Sequence, residues 1–399
     1  MAQPVHPISR AWLSAGGTGA QNYDEFADDA EITAIVEANP ASALAIEMPQ
    51  RTPESVAAGR SFADSLPAAA QRFAELRAGG RYQPAERVLG IYRIGGADGV
   101  AYGVFCMVDT DQISASADEP GLVIRNEDVF VAKVKERVAL AEAVGFLLSP
   151  VLLMQTARGA ELHALLAELT DRLGEPAVVD VDQQGRRHEV WALPEGPDQD
   201  AVLAAAGGGE LIVADGNHRS LAAQVGELPR FLAVVTTPES VRILPYHRLV
   251  AGVDIDALAD RLVEAGATVE PLDDAADVPP AGTVHLYTVD GTLAVRLPEP
   301  PTDGAVERLD YSRVEAVLLG QVLGLDPGDK RITYVGGDYP AAWLRGEVHA
   351  GRADLAVLMA PVGVEDFVAV NLARQKMPRK STWFTPKARG GLVCAELAR

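Results

Sequence analysis

Cysteine is nearly absent. The chain of 399 residues has two, Cys106 and Cys394, and no CxxC pair, which argues against a disulfide framework or a structural zinc site and fits a reducing compartment. Cys106 falls in an apolar run and reads as a core residue. Long apolar stretches are missing too: none approaches the ~20 residues that span a bilayer. The opening MAQPVHPISRAW lacks the basic-then-apolar order of a secretory signal, so the expected location is the cytoplasm. Basic residues are few, 35 against 56 acidic ones, and the formal charge of −21 is spread along the chain. Such a surface repels nucleic acid and anionic membrane, so neither is expected as a partner. A phosphate site must then be a local exception, built from a few Arg, Lys, His and backbone N–H groups.

Several catalytic signatures are also missing. There is no GxxxxGKS or GxxxxGKT, no HExxH and no GxSxG. The glycine clusters at 16–19 and 95–99 do not stand between a strand and a helix as a dinucleotide fingerprint requires.

What remains is an α/β (α+β) pattern, with mixed sheets and flanking helices. A short strand is expected at 44–49, and an alanine-rich helix from Pro53 to Arg77 with a break at Pro67. Strands follow at 88–94 and 101–108, joined through Gly95–Gly99. A helix at 130–144 carries Phe130, Val134, Val138 and Ala141 at helical spacing, with Lys133, Glu136 and Arg137 between them. Next come a buried strand at 146–154, a helix at 158–174 and a hairpin at 177–192 turning at Gln183-Gln184-Gly185. Residues 211–214 read as a buried strand broken by Asp215-Gly216, and 220–224 as helix. Strands at 230–235, 241–246, 284–288, 331–335 and 354–359 and helices at 255–265, 312–323 and 363–374 complete the alternation. At ~100–200 residues per domain, two or three regions are expected: 1–110, 111–250 containing the turn at 215–219, and 251–399 ending in a basic tail.

Chemistry concentrates at Asp215-Gly216-Asn217-His218-Arg219. A strand that enters a helix through glycine exposes unpaired backbone N–H groups, which bind anions with help from the helix dipole. Arg219 can fork two hydrogen bonds onto a phosphate, and His218 can donate to it or move a proton. Asp215 can cap the helix, hold a metal or act as a base; the plainer alternative is that it only caps, with His218 and Arg219 on the surface. Arg125-Asn126-Glu127-Asp128 precedes the helix at 130–144; Glu127 is either a dipole-favoured cap or a general base for a hydroxyl. The basic tail groups Arg379, Lys380, Lys387 and Arg389 with Ser381 and Thr382, either a solvated face or a source of cations for an anionic ligand; Tyr246-His247-Arg248 is a similar, weaker case.

Taken in order, Asn39-Pro40-Ala41-Ser42, Arg125-Asn126-Glu127, LIVADGNHR at 211–219, Arg242 to Val250, Val335-Gly336-Gly337 and Met377 to Phe384 with Pro386-Lys387 resemble the family called domain of unknown function 1015, over nearly the whole chain. That family is distantly similar to the ParB/sulfiredoxin superfamily, which includes a free-serine kinase and binds nucleotide phosphates on an Asp-Gly-x-His-Arg type of turn. The resemblance implies a ParB/sulfiredoxin-like core at 111–250 and a phosphate-binding turn of Asp215, Gly216, His218 and Arg219, with Asn217, Arg125 and Lys380 as further cofactor-binding residues. It also implies catalytic roles for Glu127, Asp215 and His218, and Mg²⁺ on Asp215. ATP or ADP would be the cofactor. The sulfiredoxin cysteine does not carry over, since Asn217 takes its place. Asn217 and Asn126 stand where the family usually has histidine, and Gln21-Asn22-Tyr23-Asp24 where it often has Pro-Pro-Tyr-Asp.

Two functions fit. One is a nucleotide-dependent kinase acting on the hydroxyl of a small, serine-like metabolite, with catalysis mostly by positioning and charge neutralisation. The other is a nucleotide-binding switch or scaffold without turnover. The charge of −21 counts against a nuclease or DNA-binding module. A homodimer is compatible with either function.

Overall fold

The computed structural model describes all residues except 1, 2, 20, 21, 24, 27, 115–120, 126, 128–130, 274, 275, 303 and 399. The chain forms two compact units. The first contains Met1–Val241 and Pro386–Arg399, the second Arg242–Thr385. These limits differ from the boundaries at 110 and 250 expected from sequence. The reason is strand pairing: residues 103–109 pair with 230–236, and 393–395 pair with 11–13, so one sheet joins both sides of the expected boundary at 110 and takes in residues 393–395.

The first unit is built on a curled, mixed, 13-stranded sheet. Its main strands are β1 (Ile8–Ser14), β2 (Tyr82–Gly96), β3 (Gly99–Asp109), β4 (Val151–Gln155), β5 (Arg187–Leu193), β6 (Leu211–Asp215) and β7 (Arg230–Thr236). Helices α1 (Phe62–Ala78), α2 (Val131–Val144), α3 (Gly159–Arg172), α4 (Pro197–Ala206) and α5 (Asn217–Val225) flank it. The main path runs β6-β4-β7-β3-β2-β1, then the C-terminal strand Val393–Glu396. The β4–β7 pair is parallel and β6–β4 antiparallel. β2 changes partner along its length: its first half pairs with β1, its second with β3 and β5. One apolar core lies where Leu162, Leu166 and Leu169 of α3 and Val202, Ala205 and Ala206 of α4 meet buried residues of β3, β4, β6 and β7. A second joins Phe73 of α1 and Leu140 and Val144 of α2 to Tyr82, Phe146 and Cys394.

The second unit carries a six-stranded, wholly antiparallel sheet in the order Thr268–Leu272, Gly291–Arg296, Val284–Thr288, Leu355–Leu358, Tyr246–Val250, Ile332–Gly336. Its entry and exit are paired, with Arg242 opposite Thr385.

Several local expectations are corrected. Residues 44–47 form a helix rather than a strand, entered through Ala43 in helical conformation, and the Leu44 N–H donates to the Ser42 hydroxyl at 3.3 Å. The helical break falls at 58–61 instead of Pro67. Ser61 and Asp64 form a reciprocal capping box that starts α1 afresh and leaves Pro67 within it. The apolar run at 146–154 is split into Phe146–Leu147 and β4 by Ser149-Pro150. Residues 314–322 wind as wider π-helical turns. On α2, the buried positions are Val134, Arg137, Leu140, Ala141 and Val144, so the inward face includes Arg137 and leaves Val138 at its margin. Phe130 and Asn126 lie outside the described residues.

Candidate functional site

β6 is apolar and buried from Leu211 to Ala214. A bulge between Val213 and Asp215 shifts its register against β4 and turns the chain at the strand's end. Gly216 follows with φ +96°, the left-handed region that favours glycine. Space demands glycine as well: a Cβ there would lie 3.0 Å from Arg219 Nε and 3.2 Å from Val151 Cα.

Gly216 is the N-cap of α5, and no side chain caps the helix. Its carbonyl accepts from the Ser220 N–H at 2.9 Å, and the Ser220 hydroxyl donates to the Asn217 carbonyl at 2.9 Å. The N–H groups of Asn217, His218 and Arg219 precede the first intrahelical bond and so have no acceptor within the helix. No acid stands in the first turn. The capping alternative for Asp215 therefore does not hold. Its carboxylate is turned aside, with Oδ2 2.5 Å from Arg219 Nη2 and Oδ1 3.3 Å from Lys387 Nζ. One carboxylate between two cations leaves a net charge of +1 beside the helix start, where the dipole adds roughly half a positive charge.

The predicted residues are not all gathered here. Arg219 is 8% exposed, and its terminal nitrogens are engaged by the Asp215 carboxylate and the Pro150 carbonyl, so it braces the turn. Asn217 and His218 are half-buried in the first turn, and Asn217 Oδ1 is buried without a hydrogen-bond donor among the described residues. Arg125 Nη1 donates to Gln224 Oε1 at 3.1 Å, near the other end of α5; Gln224 is about 10 Å along the axis from Asn217 at 1.5 Å per residue. Glu127 is half-buried ahead of α2. Lys380 belongs to the second unit, where its Nζ sits 5.4 Å from the Tyr246 ring centre. In the same unit Arg248 is fully buried and donates to the Tyr246 and Arg379 carbonyls. Asp215 does not fit as a metal ligand, since both its oxygens face cations. Among the described residues no three His, Cys, Asp or Glu side chains converge on a metal position.

Two cations of the basic tail are thus structural. Lys387 neutralises Asp215. Arg389, 3% exposed, bonds Glu25 at 2.7 Å and Asp182 at 3.0 Å. Asp182 also accepts from Arg186 at 2.7 Å and pairs with His188 Nε2 at 3.1 Å, and His188 Nδ1 shares a 2.6 Å hydrogen bond with the Tyr92 hydroxyl. Burial opposes ionisation of Asp182, but the bonds from His188 and Arg186 and the Arg389 charge outweigh it and hold the carboxyl well below the usual carboxylate range. Burial depresses His188 and raises the Tyr92 phenol.

A pocket of about 680 Å³ adjoins the turn and shares Arg219 and Val151 with its surroundings. Its walls are mostly apolar side chains of α2, α5 and the strands. Tyr23, Glu47, Arg137, Ser149, Arg219 and the exposed Glu142 supply its polar groups. Of these, sequence reasoning assigns only Arg219 to a site. The available signal was Arg137 at i+3 from Val134 and i−4 from Ala141, a charge within an inward-facing stripe.

The family model described as "Protein of unknown function (DUF1015)" matches residues 15–312. The chain belongs to this family. Among solved structures, the chain is similar to free serine kinase in complex with AMP (13% identity, 70% of this chain and 87% of that one, TM-score 0.38). It is also similar to a conserved hypothetical protein from Pyrococcus furiosus (14%, 72% and 93%, 0.38). SbnI with a C-terminal truncation, from Staphylococcus aureus, is a third (14%, 71% and 84%, 0.37). No curated protein matches. Among the described residues, no helix is long and apolar enough to cross a membrane.

Proposed function

We propose that this DUF1015 chain binds a nucleotide by its phosphates at the start of α5 and transfers a phosphoryl group to the hydroxyl of a small metabolite in the adjoining pocket. The observation that carries the reading is the uncapped helix start at Gly216, with its backbone N–H groups beside a +1 cluster of Asp215, Arg219 and Lys387. In an otherwise acidic protein this is the local exception that an anion requires. His218, in the first turn, would donate to a phosphate oxygen. Asp215 would hold Arg219 and Lys387 in place rather than act as a base. The hydroxyl's proton would go to Glu127 or to Glu47, which lines the pocket and is 2% exposed. Among the described residues no side chains converge on a metal position.

Calorimetric titration with AMP, ADP and ATP, followed by turnover assays over a panel of hydroxyl compounds, tests this. Saturable binding that strengthens with the number of phosphates, together with phosphorylation of one acceptor, is expected. Failure of all three nucleotides to bind the folded protein would refute it. The engagement of both Asp215 oxygens by cations favours a second reading, nucleotide binding without turnover, which tight binding with no phosphorylated product would select.

A further inference from the structure

Arg137 lies in the middle of α2 and is 8% exposed. The groups around its guanidinium are the Tyr23 ring at 4.2 Å, the Phe62 ring at 5.3 Å and the Met48 sulfur, 3.8 Å from Nη2. Two ring faces and a thioether hold a cation but do not neutralise it. Nη1 is buried with no acceptor among the described residues, and Arg137 forms no ion pair among them. An arginine buried without a counter-charge is costly to keep, and this one lines the pocket beside α5. A second buried group there, the Ser149 hydroxyl, also has no partner among the described residues. Glycine at 390 makes room for it: a Cβ would fall 2.2 Å from Ser149 Oγ and 3.3 Å from Glu47 Oε2.

We propose that the pocket takes a small carboxylic acid with an apolar side chain, its carboxylate bound by Arg137. The rest of the pocket dictates the tail: Leu140, Phe146, Leu148, Val151, Ala222 and Phe231 form walls that only an apolar group can fill without losing hydrogen bonds to water. Glu47 restricts the head. A polyanion such as phosphate would meet stronger repulsion from it than a monocarboxylate set on Arg137, and an α-ammonium group would be accepted by it. The Ser149 hydroxyl supplies a donor for the second carboxylate oxygen. The assignment does not depend on a nucleotide at α5. Should one bind there, a hydroxy acid in this pocket would be the acceptor.

The test is calorimetric titration of the full chain with 4-methylpentanoate, 2-hydroxy-4-methylpentanoate and leucine as acids, 4-methylpentan-1-ol as the uncharged match and acetate as the tail-less match. At least one acid should bind about tenfold or more tighter than both alcohol and acetate. Arg137→Met should weaken that acid by about 10- to 100-fold, the range for a hydrogen bond to a charged group, while Arg137→Lys retains part of the affinity. The proposal is overturned if no acid binds folded protein up to about 10 mM, if alcohol or acetate matches the acids, or if folded Arg137→Met binds the best acid unchanged. The ligand comparison on the unmodified chain decides the matter even if Arg137→Met does not fold.

Discussion

Replacing Asn217 by Asp separates the stability of α5 from its capacity to bind an anion. The exchange is nearly isosteric and puts a full negative charge at the first helical position, where no acid stands and no side chain caps the helix. The neighbouring Asp215, Arg219 and Lys387 sum to +1, so the new carboxylate should be tolerated. The dipole interaction should contribute about 0.3–1 kcal/mol, a rise in Tm of up to about 3 °C. For a bound phosphate the sign reverses. Two unit charges about 5 Å apart repel by about 3.3 kcal/mol at an effective dielectric of 20. Screening over a Debye length of about 8 Å reduces this to about 1.8 kcal/mol, or about 20-fold in Kd. The expected outcome is an unchanged or higher Tm without ligand and ADP affinity lower by about 20-fold or more. Thermal melts and calorimetric titration of both proteins, in one buffer of fixed salt, measure both quantities. An ADP affinity within about threefold of the unmodified protein would refute the assignment of phosphate to this turn, and a Tm several degrees lower would refute the uncapped helix start.

Arg219→Met removes the brace between Asp215 and the Pro150 carbonyl, with a stability loss of about 2–4 kcal/mol visible in urea melts. Asp182→Asn should cost about 3 kcal/mol at neutral pH, because Arg389 and Arg186 lose a buried counter-charge. The folded carboxyl of Asp182 is depressed, so its contribution is present above the unfolded value of about 4 and lost as pH falls below it; urea melts from pH 3 to 7 should show a steeper acid limb for the parent than for the variant. His247, buried beside Arg248 and accepting the Met359 N–H through Nδ1, is lowered to about 4. The unfolded chain takes up that proton first, so stability present above about pH 6.5 falls by up to about 3 kcal/mol as pH drops to about 4, and His247→Gln should remove that slope.

The turn at 215–219 was legible because its determinants are local: four apolar residues, one glycine and a helix-forming stretch follow one another in sequence. The role of Arg219 was not, because the Pro150 carbonyl that it meets together with Asp215 arrives from a distant segment and makes it a brace of the turn. The expected clustering of the tail was legible as charge but not as destination, since Lys387 and Arg389 each meet a carboxylate set by the fold. The burial of Arg137 is not legible because the stripe Phe130, Val134, Val138 and Ala141 leaves it among the charges between, whereas the helix buries Val134, Arg137, Leu140, Ala141 and Val144. The helix at 44–47 was not legible because its apolar run is equally compatible with a strand and no side-chain cap marks its start.

The placement of the C-terminal segment also has a consequence in time. Synthesis supplies β1 to β7 early, then the whole of Arg242–Thr385, and only afterwards Lys387, Arg389 and the strand Val393–Glu396. At about 5–20 residues per second, that intervening stretch occupies the ribosome for roughly 7–30 s. Throughout that interval Asp182 and Asp215 are without their tail cations, and the β1 edge that Val393–Glu396 later covers stands open to other strands. The growing chain is therefore most exposed to misassociation until Val393–Glu396 has emerged, and a stop placed before that strand should yield an aggregating product rather than a slightly weakened one.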